Sequence, residues 1–134
     1  MKKEYVSPMS LDWDAQEKQG IEAAIAAHPI GSGQCAALAR RVHAIAEPRD
    51  PKTHGLQVRP RRPARFIVPK SPAAPRWFSH TLVATRAHAV DALTNAAGCL
   101  TTDYIETHWE YPDQLIIEKV DVFTVDPNIQ NQDA

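Results

Sequence analysis

Three residues in this sequence have side chains and settings suited to nucleophilic catalysis: Cys35, His80 and Asp91. Cys35 follows Gly31-Ser32-Gly33 and Gln34 and opens a predicted helix. The unpaired N–H groups and the positive dipole end of a helix start stabilise a thiolate, the reactive form of cysteine. The same N–H groups can donate to an oxyanion, with the neighbouring Gln34 as helper. Gly33 lets a substrate backbone come close. Cys35 also sits on an apolar stripe, and an unpaired cysteine there is more often a small buried hydrophobe. His80 lies in the run Trp77-Phe78-Ser79-His80-Thr81-Leu82-Val83, which makes Trp77 and Ser79 candidate substrate contacts. Asp91 lies in His88-Ala89-Val90-Asp91-Ala92-Leu93. A carboxylate among apolar neighbours is costly to bury alone, so Asp91 needs a partner.

Strand geometry allows His80 to be that partner. If Arg86-Ala87 is a two-residue turn, Thr85 faces His88 and Leu82 faces Asp91. Alternation then puts His80, Leu82 and Ala84 on one face with Ala89, Asp91 and Leu93. His80 and Asp91 become diagonal neighbours, roughly 7–8 Å apart at Cα. Cys35 would be the nucleophile, His80 the base and Asp91 the group that orients the imidazole. His88 is an alternative base, but this register turns it away from Asp91.

The elements that must position these groups read as α+β. Ser10 or Asp12 is a candidate cap for a helix over 13–27, stopped by Pro29 and the glycine turn. Cys35, Leu38, Ala39, Val42 and Ala46 form an amphipathic stripe that predicts a second helix, ended by Pro48. Residues 48–76 carry seven of the eleven prolines and read as a long basic insert, with one short strand over 65–68. Trp77–Thr85 and His88–Leu93 predict two strands, 103–109 a short helix capped by Thr101 or Thr102, and Leu115–Val125 a last strand. Residues 1–12 and 127–134 read as a flexible lead-in and tail around a single domain over 13–126.

Gly33-Gln34-Cys35-Ala36 at a helix start, then Trp77–Val83, then Ala89-Val90-Asp91-Ala92-Leu93, resembles the papain-fold toxin domains of bacterial polymorphic toxin systems. Thr101-Thr102-Asp103-Tyr104-Ile105 is similar to the short helix after the Asp strand of that family. The resemblance spans about 20–125. It implies a papain-like fold, with N-terminal helices that carry the nucleophile packed on a small antiparallel sheet. It also implies Cys-His-Asp chemistry on an amide: peptide cleavage, glutamine deamidation or acyl transfer. Its further implications are a protein substrate, delivery into a rival cell and a cognate immunity protein. The basic, proline-rich insert and the lack of a long delivery region depart from the family pattern.

Composition is compatible with one ordinary globular domain: 134 residues, 43% hydrophobic, 23% charged, net charge −1. Charge is unevenly placed. Residues 36–76 sum to +8 and the remainder to −9. The plain reading is that the two parts attract each other within the fold; the alternative is a basic face for an acidic partner. Arg59, Arg61, Arg62, Arg65 and Arg76, with Phe66 and Trp77 nearby, also suit a ribonuclease-like toxin, because arginines neutralise phosphates and aromatics stack on bases. A non-catalytic interaction module is the third class, favoured if Cys35 is inaccessible. No CxxC or HExxH spacing supports a metal site, and no cofactor is implied. Cys99 after Gly98 reads as structural. No apolar h-region follows Met1-Lys2-Lys3, and no run reaches the roughly 20 apolar residues of a membrane span. The expected location is the cytoplasm, or a target cell reached through a dedicated secretion system.

Overall fold

The computed structural model describes residues 11–71 and 76–125. Of the expected lead-in 1–12, residues 1–10 lie outside the described residues, as does the tail 127–134, whereas Leu11 is tied down, its N–H donating to the Ala97 carbonyl at 2.7 Å. Helix α1 (Ala15–Ala27) is started by Asp14, which exchanges hydrogen bonds with Glu17 in a capping box. The cap is thus Asp14 rather than Ser10 or Asp12, because only Asp14 has a glutamate three residues on. Gly31 and Gly33 then take φ of +80° and +74° and turn the chain into α2 (Cys35–Ala46). The stripe Cys35, Leu38, Ala39, Val42 and Ala46 is buried, as the periodicity requires.

Five antiparallel strands follow: β1 (His54–Pro60), β2 (His80–Ala84), β3 (His88–Val90), β4 (Cys99–Leu100) and β5 (Leu115–Val120), ordered β4-β3-β2-β1-β5. Helix α3 (Thr101–His108) connects β4 to the 3-10 turn before β5. It begins after Leu100 without a side-chain cap, so neither Thr101 nor Thr102 caps it.

β1 corrects the reading of 48–76 as a long loop. The basic segment supplies a central strand, flanked by β2 and β5. Leu56 and Val58 alternate inward, and Pro60 stands at the strand end, where its missing N–H breaks no central ladder. Gly55 permits the neighbouring chain to close in: a Cβ there would lie 2.4 Å from Val122 Cγ1 and 2.6 Å from the Val120 carbonyl oxygen. The attraction between the basic and acidic parts takes concrete form at Arg59–Glu118, 2.9 Å, across β1 and β5.

The sheet separates two apolar clusters. Val83 and Val90 face α1 and α2 with Ile21, Leu38 and Val42. Leu82, Ala84 and Ala89 face the other way, with Tyr104, Trp109, Ile67 and Trp77. On this second side Ile67 pairs with Trp77, and Pro69 with Trp109, so an extended stretch beyond β1 braces both indoles. Among the described residues no helix is long and apolar enough to cross a membrane.

Candidate active site

Asp91, just past β3, carries the densest set of contacts. Its Oδ1 accepts from the backbone N–H of Leu93 and Thr94, both at 2.9 Å. Its Oδ2 accepts from His80 Nε2 at 2.6 Å and from the Tyr104 hydroxyl at 2.5 Å. The Asp91 N–H in turn donates to Thr94 Oγ1, closing the turn. Burial alone would raise the Asp91 pKa, but the hydrogen bond and charge of His80, with the Tyr104 and Thr94 donors, hold it below the usual value. The carboxylate is therefore ionised in its pocket, and His80 Nε2 is the donor in their contact.

The β2–β3 register is the one that alternation and a two-residue turn predict. Val83 pairs with Val90 and Ala84 with Ala89, and the Thr85 N–H donates to the His88 carbonyl across Arg86-Ala87. His80 and Asp91 thus share a face and meet directly. Burial opposes charge on the His80 ring, but hydrogen bonding to Asp91 and Cys35 and the charges of both outweigh it, raising the pKa from 6.5 to about 10. The ring lies between two indoles: Trp77 stacks at 5.7 Å and 21°, and Trp109 sits at 5.5 Å and 56°.

Cys35 is the first residue of α2, and Gln34 before it gives no side-chain cap, so the first N–H groups of the helix keep their donor capacity. The Thr81 N–H donates to Cys35 Sγ at 3.3 Å. His80 Nδ1 is buried without a partner at ordinary hydrogen-bond geometry. Since Nε2 is taken by Asp91, Nδ1 is the nitrogen left for the Cys35 thiol, whose pull on the ring proton contributes to the raised pKa.

The structure brings Cys35, His80 and Asp91 together, and it buries them: they are 4%, 1% and 1% exposed. The remaining candidates divide. Gly33 and Ser79 are half-buried beside the site. Gln34 is exposed, and its Oε1 is engaged by His28 Nδ1 at 2.9 Å, which leaves the amide NH2 as its available donor. Trp77, expected to meet substrate, is buried against His80 and forms the wall of the site instead. His88 is buried on the opposite face of the hairpin from Asp91, as the register requires. Tyr104 and Thr94 are the partners that sequence reasoning missed; the only signal was that a buried carboxylate needs more than one donor. Cys99 is a free, half-buried thiol on α3's side of the sheet. Among the described residues no three His, Cys, Asp or Glu side chains gather as a metal site would require.

Compared with protein-family models, curated proteins and solved structures, the chain matches none.

Proposed function

We propose that the chain is a papain-like cysteine-dependent amide hydrolase or acyl transferase. The observation that carries the reading is the His80–Asp91 contact of 2.6 Å beside the Cys35 thiol, which the N–H of the next residue, Thr81, reaches at 3.3 Å. With a pKa near 10, His80 holds its proton at neutral pH. An imidazolium beside the sulfur, a backbone N–H donating to it and a helix start beneath it all stabilise negative charge on Sγ. In the reaction Sγ bonds to the amide carbonyl carbon, and the carbonyl oxygen takes the negative charge. In this reading the first N–H groups of α2 and the Gln34 amide NH2 serve that oxygen as donors. When the C–N bond breaks, His80 passes its Nδ1 proton to the leaving nitrogen. Water then attacks the thioester carbonyl and gives its proton to His80, releasing acid and thiolate; an amine in place of water gives acyl transfer. The resemblance to papain-fold toxin domains extends the proposal to an effector acting on a protein substrate and held in check by an immunity protein.

The burial of Cys35 favours a second reading, a non-catalytic module that keeps the triad as core packing. Alkylation by iodoacetamide separates the two. The rate is followed from pH 4 to 9 in a Cys99→Ser background, with and without His80→Ala. An enzyme labels quickly below pH 7 and loses that rate with His80. Labelling that is slow throughout, or that rises only as an ordinary thiol titrates near about 8.5, removes the enzymatic reading and leaves the packing one.

A further inference from the structure

We infer that the surface stack of Phe78, Phe66 and Arg76 is the docking ledge for the substrate chain, and that it selects an acidic segment bearing apolar side chains. The inference rests on the amide-cleaving reading and names its substrate class.

Phe78 is a large hydrophobic side chain left 46% exposed. Its ring stacks on Phe66 at 5.2 Å and 14°, and the Arg76 guanidinium caps Phe66 at 5.2 Å. The Ile67–Trp77 pairing holds the two segments that carry these rings side by side. The same backbone runs straight into the site: Trp77 stacks on His80, and Thr81 donates to Cys35. Phe78 stands three residues before Thr81, so at most about 10 Å of extended chain separates it from the residue that touches the sulfur. One short stretch of chain thus carries both Phe78 of the ledge and the N–H that meets the sulfur.

Charge identifies the occupant. Residues 51–90 contain eight Lys and Arg and no Asp or Glu. Arg59 is neutralised by Glu118, but Arg65 and Arg76, the arginines flanking the two rings in sequence, are exposed and make no ion pair among the described residues. Aromatic faces rimmed by unpaired guanidinium groups suit apolar side chains interleaved with carboxylates. Single-stranded RNA offers similar complements, but a thiol–imidazole–carboxylate set acts on acyl carbons, which favours a peptide.

The test is fluorescence anisotropy with the full chain and three labelled probes: a peptide alternating Glu with Leu and Phe, its Lys-for-Glu counterpart, and a short single-stranded RNA. The acidic peptide is expected to bind best. Phe78→Ser and Arg76→Glu are each expected to weaken it about fivefold or more, the scale of an interface anchor. Both side chains are exposed, so neither change threatens the core. Equal binding of the two peptides, indifference to both substitutions, or tighter binding of the RNA overturns the inference. Iodoacetamide labelling of Cys35 in Phe78→Ser tells its failure from that of the reaction. Normal labelling, with no selectivity for the acidic peptide in the wild type, condemns the ledge alone. Peptide binding by a protein whose Cys35 does not alkylate retires the reaction and leaves the ledge as a peptide-binding surface.

Discussion

Replacing Asp91 with asparagine tests the electrostatics of the site through stability, without needing a substrate. The Asp91 carboxylate accepts from four donors, and His80 keeps its proton because of it. In Asp91→Asn that support goes, and burial, the largest opposing influence on His80, leaves the ring neutral at pH 7. The wild-type stabilisation at stake at pH 7 is bounded by the gap between pH 7 and a pKa of about 10, three units at 1.36 kcal/mol each, or at most about 4 kcal/mol, because Cys35 supplies part of the same shift. Breaking a buried pair from one side typically costs about 3–5 kcal/mol, the same size. The sign follows from the direction of the shift. The folded pKa of His80 is raised, so its contribution is complete below about 6.5 and is lost as pH climbs toward 10. The folded pKa of Asp91 is lowered, so on the acid side the same interaction is lost as pH falls through that depressed value. Urea denaturation of both proteins at intervals from pH 5 to 9.5 measures the difference, below the range where the Tyr104 phenol begins to matter. The advantage of the wild type should be greatest at pH 5–6.5 and shrink steadily above it. The two backbone donors left facing an amide cost stability too, but equally at every pH. A difference that stays flat from pH 5 to 9.5 would refute the reasoning.

Other substitutions probe the frame around the site. Tyr104→Phe removes one donor to the carboxylate and should cost about 1.5–3 kcal/mol by urea denaturation. Because that donor helps hold the Asp91 pKa down, the acid loss of stability should also begin at a higher pH in this variant. Gly55→Ala forces a Cβ to within 2.4 Å of Val122 Cγ1 and should lower stability by about 1–3 kcal/mol, read as a drop in melting temperature. Arg40→Ala deletes guanidinium bonds to the carbonyls of Val122, Phe123 and Val125. It should cost about 2 kcal/mol and speed amide exchange in the stretch after β5.

The site was more legible in the sequence than the sheet that holds it. His80 and Asp91 could be paired on paper because strand alternation and a two-residue turn leave one parity, and the structure has that register. Cys35 at a helix start was equally readable, since Gly31 and Gly33 mark the turn in front of it. β1 was not, because its sequence breaks local preference: it opens with His54-Gly55, closes on Pro60 and lies in an arginine-rich stretch. Pairing on both sides supplies what propensity lacks, and the glycine answers to a neighbour 65 positions away, Val120. Tyr104 read only as a member of a short helix, because the carboxylate that its hydroxyl serves lies on another element. That Cys35 is buried could be read from its place on the apolar stripe, but its packing partners Trp77, Tyr104 and Trp109 come from distant elements, which no local pattern carries.

The hairpin of β2 and β3 also sets an order of assembly. Its paired residues Val83 and Val90 are seven apart in the chain, whereas β1 and β5 join positions as distant as Gly55 and Val120. Closing a short loop costs less entropy than closing a long one, so contacts between near neighbours are expected first. The imidazole and its carboxylate are thus written into a unit that can form while the fifth strand is still unplaced. The thiol arrives with a separate helix, so the reactive arrangement needs α2 docked on that hairpin and is not carried by the hairpin alone.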